Sequence, residues 1–148
     1  MFRFALVAAV SVGLSGCGSS SSLDTFQTNF EGTWVGTLSS VVNGHSTSAS
    51  FRFIIAPIDS STVTVSSFCN DGIGPVGTSS SDTSFALGNI VCPVTLPVFD
   101  QDGCFAFTTN LKGGTGELSG GTLTLSLEGT TTGCRQTSAF TSVFTGTK

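Results

Sequence analysis

Five cysteines and a single histidine are the residues of this sequence best suited to chemistry. His45 lies in Val42-Asn43-Gly44-His45-Ser46 and is the sole imidazole, so any Ser or Cys nucleophile would have to draw on it as base. No serine stands in a Gly-x-Ser-x-Gly elbow, and Asn-Gly ahead of His45 marks a turn, so a solvated turn histidine is the better reading. A zinc site is disfavoured because no Cys-x-x-Cys pair exists and one His cannot complete a ligand set. Asp100-Gln101-Asp102-Gly103 opens like a calcium loop but lacks the later acidic ligands and the closing Glu. Asn70-Asp71-Gly72 reads as an ordinary turn. Neither a flanking carboxylate pair, a phosphate loop nor a dinucleotide fingerprint is present. The expectation is a non-enzymatic protein with no metal and no cofactor.

The remaining chemistry sits at the N-terminus. Met1-Phe2-Arg3 carries one positive charge, and Phe4–Leu14 is an apolar run too short to span a bilayer as a helix. It ends in Leu14-Ser15-Gly16-Cys17, an apolar residue, two small ones and a cysteine. This resembles the lipobox of bacterial lipoproteins. The resemblance implies cleavage before Cys17, with residues 1–16 a signal peptide, and acyl chains on the Cys17 sulfur and amino group. Several chains anchor stably where one holds only marginally, at about 0.8 kcal/mol per buried methylene. Residues 17–30 then form a lipidated cysteine and a tether that is Ser/Gly-rich through Gly18–Ser22, with Leu23–Phe30 a turn or helical entry. Residues 31–148 form the domain. Gly18 follows Cys17 where an Asp would favour retention at the inner membrane, so the resemblance favours an outer-membrane address in the cell envelope.

Composition agrees with export. The formal charge is −4 for the whole chain and more negative without Arg3, and only 9% of residues are charged. An acidic surface built from Ser and Thr argues against nucleic acid and against a basic membrane patch. With Cys17 taken by lipid, Cys69, Cys92, Cys104 and Cys134 make an even set, read as two disulfides.

Those residues must be positioned by strands. From Gly32 onward the pattern has period two in Thr, Ser, Val and Phe, punctuated by Gly, Asn and Asp. Strands are predicted near 32–42, 48–58, 61–68, 83–91, 105–111, 115–119, 122–128 and 136–145. Leu123, Leu125 and Leu127 alternate with Thr122, Thr124 and Ser126, and Gly120-Gly121 before them suits a tight hairpin. Asn70–Ser81 and Pro93–Gly103 read as long loops. About eight antiparallel strands predict a single all-β domain, an up-and-down β-barrel with a β-sandwich as the alternative.

Phe30-Glu31-Gly32-Thr33-Trp34-Val35-Gly36-Thr37-Leu38 is similar to the Gly-x-Trp opening of lipocalin, avidin and bacterial protease-inhibitor barrels. In those barrels the tryptophan closes one end of the core. One Trp and no Tyr make avidin-type biotin binding unlike this chain. Eight strands in alternation place Cys69 and Cys134 at one end and Cys92 and Cys104 at the other. That favours Cys92–Cys104 with Cys69–Cys134 and leaves Cys69–Cys92 with Cys104–Cys134 open. Trp34, Phe51, Phe53, Leu125 and Phe140 either line a cavity or fill the core, since an eight-stranded barrel allows both. The expected function is an envelope lipoprotein, bound to the membrane through Cys17, that takes a small apolar ligand in lipocalin fashion or an envelope partner. The alternative is a protein-binding module such as a barrel-type protease inhibitor or a surface interaction protein.

Overall fold

A computed structural model of the chain describes residues 22–69, 72–92, 108–133 and 136–148. Among the described residues one helix, α1 (Ser22–Phe30), precedes strands β1 (Gly32–Val42), β2 (His45–Asp59), β3 (Thr62–Ser66), β4 (Val76–Ser81), β5 (Ser84–Leu87), β6 (Ile90–Cys92), β7 (Thr108–Ser119), β8 (Thr122–Gly133) and β9 (Gln136–Thr147). All nine belong to one antiparallel sheet ordered β5-β4-β3-β2-β1-β9-β8-β7-β6, and β5 also pairs with β7. That pairing brings the two ends of the sheet together. Ser84–Leu87 of β5 and Ile90–Cys92 of β6 follow each other along the same edge of β7. The chain is therefore all-β, with a single sheet closed in a ring rather than two facing sheets.

Alternation drives the closure. Leu123, Leu125 and Leu127 of β8 point inward and are buried, while Ser126 between them and Glu128 after them are exposed. β9 repeats the pattern, with Phe140, Ser142 and Phe144 inside and Thr141, Val143 and Thr145 outside. A one-residue slip would turn every one of these side chains to the wrong face, so the register is strongly specified. Hairpin turns reinforce it. Asn43 and Gly44 both have positive φ (49° and 81°), as do Gly120 and Gly121, the backbone that two-residue hairpins require. Close strand approach fixes other positions. At Gly36, an added Cβ would lie 2.0 Å from the Thr145 carbonyl oxygen of β9, so only glycine fits.

Among the described residues nine strands replace the expected eight, and three stretches differ from the expectation, the first being the strand expected at 83–91, which is the separate β5 and β6. β4 lies within the stretch read as a loop. Its inward residue is Gly77, packed against the Phe85 ring, so it lacks the alternating apolar signal and is held by backbone pairing to β3 and β5. The two strands expected at 105–111 and 115–119 are the single β7. Gly113 and Gly114 do not form a turn; a register shift between Leu111 and Gly113 absorbs the irregularity. The helical entry at Leu23–Phe30 is the helix α1, and its closing turn is sealed by the Glu31 N–H donating to the Gln27 carbonyl at 2.8 Å.

Candidate functional site

The inside of the ring is closed by different chemistry at its two ends. At one end α1 acts as a plug. Phe26 and Phe30 are four residues apart and so share a helix face; both are 0% exposed. Their rings pack 5.1 Å apart, and Phe30 meets Phe85 edge-on at 4.9 Å. Trp34 follows directly, buried, with its indole N–H donating to the Phe30 carbonyl at 2.8 Å. The ammonium of Lys148 lies 5.0 Å from the Trp34 ring centroid.

Polar contacts fasten the helix to the surrounding turns. The Gln27 amide donates to the Asp59 carbonyl, the Asn29 amide to the Asp82 carbonyl at 2.9 Å, and Lys148 to the Thr28 carbonyl at 3.3 Å. In the β2–β3 turn the Ser61 N–H donates to the Asp59 carboxylate at 2.9 Å. That bond, with help from Thr62, holds the Asp59 carboxyl below its ordinary pKa.

The other end is braced by a disulfide between Cys69 and Cys92, with Cα atoms 5.3 Å apart. This corrects the favoured pairing of Cys92 with Cys104 and of Cys69 with Cys134. The cause is β4: one further strand after Cys69 reverses the direction of β5 and β6, so Cys92 arrives at the end that Cys69 occupies. Among the described residues there is one disulfide rather than two, because Cys104 and Cys134 lie outside them.

Beside the disulfide runs an inward row of polar residues. The register carries it from Cys92 to Thr109, Thr131 and Ser138 across β6, β7, β8 and β9. The Asn43 amide donates to the Ser138 hydroxyl at 2.8 Å, and deeper in the ring Ser40 and Ser142 share a buried hydrogen bond of 2.7 Å. The hydroxyls of Thr109 and Thr131 are buried with no hydrogen-bond partner among the described residues.

Between the two ends the described inward side chains are mainly apolar and buried. Phe53 and Phe144 pack edge-on at 5.0 Å, and both are fully buried, as is Leu125. Phe140 is 2% exposed, whereas Phe51 is only half-buried against Phe53. A cavity able to hold a ligand would leave its lining accessible to a water-sized probe, and these side chains are not. Trp34, Phe53, Leu125 and Phe140 are therefore core, and Phe51 sits at the margin.

No catalytic constellation assembles on this frame among the described residues. His45 is exposed at the start of β2, Glu117 and Glu128 are exposed on outward faces, and no cluster of three metal-binding side chains forms. A shallow groove of about 410 Å³ outside β7, β8 and β9 carries Thr115, Ser126, Glu128, Thr141 and Val143. The outward side of these strands is thus hydroxyl-rich, the inverse of a membrane-spanning barrel, which turns an apolar band outward. No helix among the described residues is long and apolar enough to cross a membrane. Leu14, Ser15, Gly16 and Cys17, and the Asp100–Gly103 and Asn70–Asp71 turns, lie outside the described residues. Sequence reading gave Leu23–Phe30 as a turn or helical entry but not as a plug of the ring, although Phe26 and Phe30 at helical spacing are its signal.

No protein-family model and no curated protein sequence matches the chain. Among solved structures it is similar to the crystal structure of a Bacteroides fragilis protein described provisionally as an outer membrane protein. The TM-score is 0.51 at 14% identity, over 84% of this chain. The chain spans 53% of the length of that protein, and the likeness is one of fold.

Proposed function

We propose that this chain is a non-enzymatic envelope lipoprotein, anchored through acyl chains on Cys17, whose β-barrel presents a surface to a partner. The observation that carries the proposal is the position of α1. The lipobox-like Leu14-Ser15-Gly16-Cys17 ends five residues before Ser22, where a helix fastened into one end of the ring begins. Five Cα steps reach at most about 18 Å. An anchor on Cys17 thus keeps the plugged end close to the bilayer and turns the disulfide end away from it. The hydroxyl-rich outward side of β7, β8 and β9 suits a barrel standing in water beside the membrane. Gly18 after the cysteine favours the outer membrane, and the Bacteroides fragilis protein's description fits that address.

The burial of Trp34, Phe53, Leu125 and Phe140 against one another favours a protein-binding module over a carrier of a small apolar ligand. The lipid would then act by raising the barrel's local concentration at the membrane. Intact-mass analysis of the N-terminal fragment, with membrane fractionation of Cys17→Ser, tests the anchor. Acyl mass on Cys17 and release of the variant to the soluble fraction are expected. An unmodified N-terminus or a variant that stays with the membrane would overturn it.

A further inference from the structure

Among the described residues the strand pairing of the ring is complete at the plugged end but not at the disulfide end. β2 runs for 15 residues, whereas its neighbour β3 has 5 and pairs only with Ile54–Asp59. On its other side β2 pairs with β1 from His45 to Ile55. Val42 and His45 flank the two-residue Asn43-Gly44 turn, so His45, Thr47, Ala49 and Phe51 direct their backbone groups to β1. The N–H and C=O groups of Ser46, Ser48, Ser50 and Arg52 point the other way. No strand among the described residues meets them.

Such an edge is a template for another strand unless it is blunted by charged side chains, proline or a bulge. Over Ser46–Arg52 the sequence is Ser-Thr-Ser-Ala-Ser-Phe-Arg, with no proline and no bulge, and its single charge stands at the far end, leaving Ser46, Ser48 and Ser50 unblunted. The two faces of the edge differ. Inward lie Ala49, exposed, and Phe51, half-buried. Outward, among serines, stands Arg52 as the one charged side chain.

We propose that the Ser46–Arg52 edge of β2 is a docking strand for an extended segment of a partner protein, which adds to the sheet by main-chain pairing. The inward positions of that segment are apolar, to cover Phe51, and an outward position near Arg52 is acidic. A second copy of this chain is disfavoured as occupant, and this step rests on the anchored reading above. Antiparallel pairing of two β2 edges about Ala49 would put the two plugged ends about twenty strand residues apart, on the order of 60 Å. Tethers of about 18 Å would not let both copies reach one membrane surface.

The test is residue-resolved amide exchange on the full lipidated chain in phosphatidylcholine vesicles. The probe is an eight-residue extended peptide alternating valine and threonine, with one glutamate set to lie beside Arg52. In the free chain the amides of Ser46, Ser48, Ser50 and Arg52 should exchange fast while Thr47, Ala49 and Phe51 are protected by β1. The peptide should slow the four edge amides at least tenfold, and Ser48→Pro should abolish that effect. Replacing the peptide's glutamate with lysine should weaken it several-fold.

Edge amides already slow in the free chain, or unaffected by millimolar peptide, would overturn the proposal. Slowing that follows protein concentration without peptide would replace the partner by a second copy. Vesicle association of the same sample is read separately, so loss of the anchor and loss of the docking strand give different results.

Discussion

The plugged end and the disulfide end of the ring solve the same problem, how to finish an open-ended tube of strands, in opposite ways. At the plugged end, aromatic rings stack inward and each polar group that fastens α1 finds a backbone carbonyl. At the disulfide end a covalent bond does the fastening, and buried threonine hydroxyls stand without partners among the described residues. The first end is held by aromatic packing and side-chain hydrogen bonds, the second, among the described residues, by one covalent bond beside a row of buried hydroxyls.

The comparison breaks most readily in the aromatic half. Phe30→Ala should cost about 3–5 kcal/mol, as truncation of a fully buried phenylalanine does; a chemical-denaturation midpoint barely shifted would mean that α1 is not a plug. At the other end, Cys69→Ser with Cys92→Ser should cost about 3 kcal/mol, given the sequence separation of 23 between them. Equal thermal stability in oxidising and reducing buffer would show that the brace carries no load. Smaller and opposite in sign is the double change Thr109→Val and Thr131→Val. Removing two buried hydroxyls that have no partner among the described residues should raise stability by about 1–2 kcal/mol, and a loss of that size would reveal partners for them. The smallest effect concerns Asp59. Its midpoint, followed by carboxyl NMR, should fall below that of an ordinary aspartate. Because the folded-state value is lowered, its contribution is present above the ordinary carboxylate pKa and disappears as the pH falls through the folded one.

These two ends were unequally legible in the sequence. Leu123-Thr124-Leu125-Ser126-Leu127 announces its strand because each inward position is large and apolar. The first strand's bounds, Gly32–Val42, coincide with the expectation because Trp34 and Leu38 share a buried face and Asn-Gly ends it. β4 leaves no such trace, since a glycine under the Phe85 ring does the inward packing and hydroxyls do the rest. Missing it cost more than one element. Strand parity is a running count, so a single omission moved Cys92 to the wrong end and inverted the disulfide pairing. The plug was hidden for another reason. Its two phenylalanines show helical spacing, but a nine-residue helix contributes too few turns to stand out, and its stability comes from the ring it closes. No local pattern marks the open edge of β2. It arises only from the mismatch between a long strand and a short neighbour.

The central claim is that the protein stands on the membrane with its plugged end down. Fluorophores placed singly at Gly120, in the turn beside α1's end of the ring, and at Gly44, in the turn at the disulfide end, can be read in vesicles carrying a headgroup quencher. The account predicts strong quenching from Gly120 and little from Gly44, with both lost in Cys17→Ser. Equal quenching at the two turns, or stronger quenching at Gly44, would contradict it.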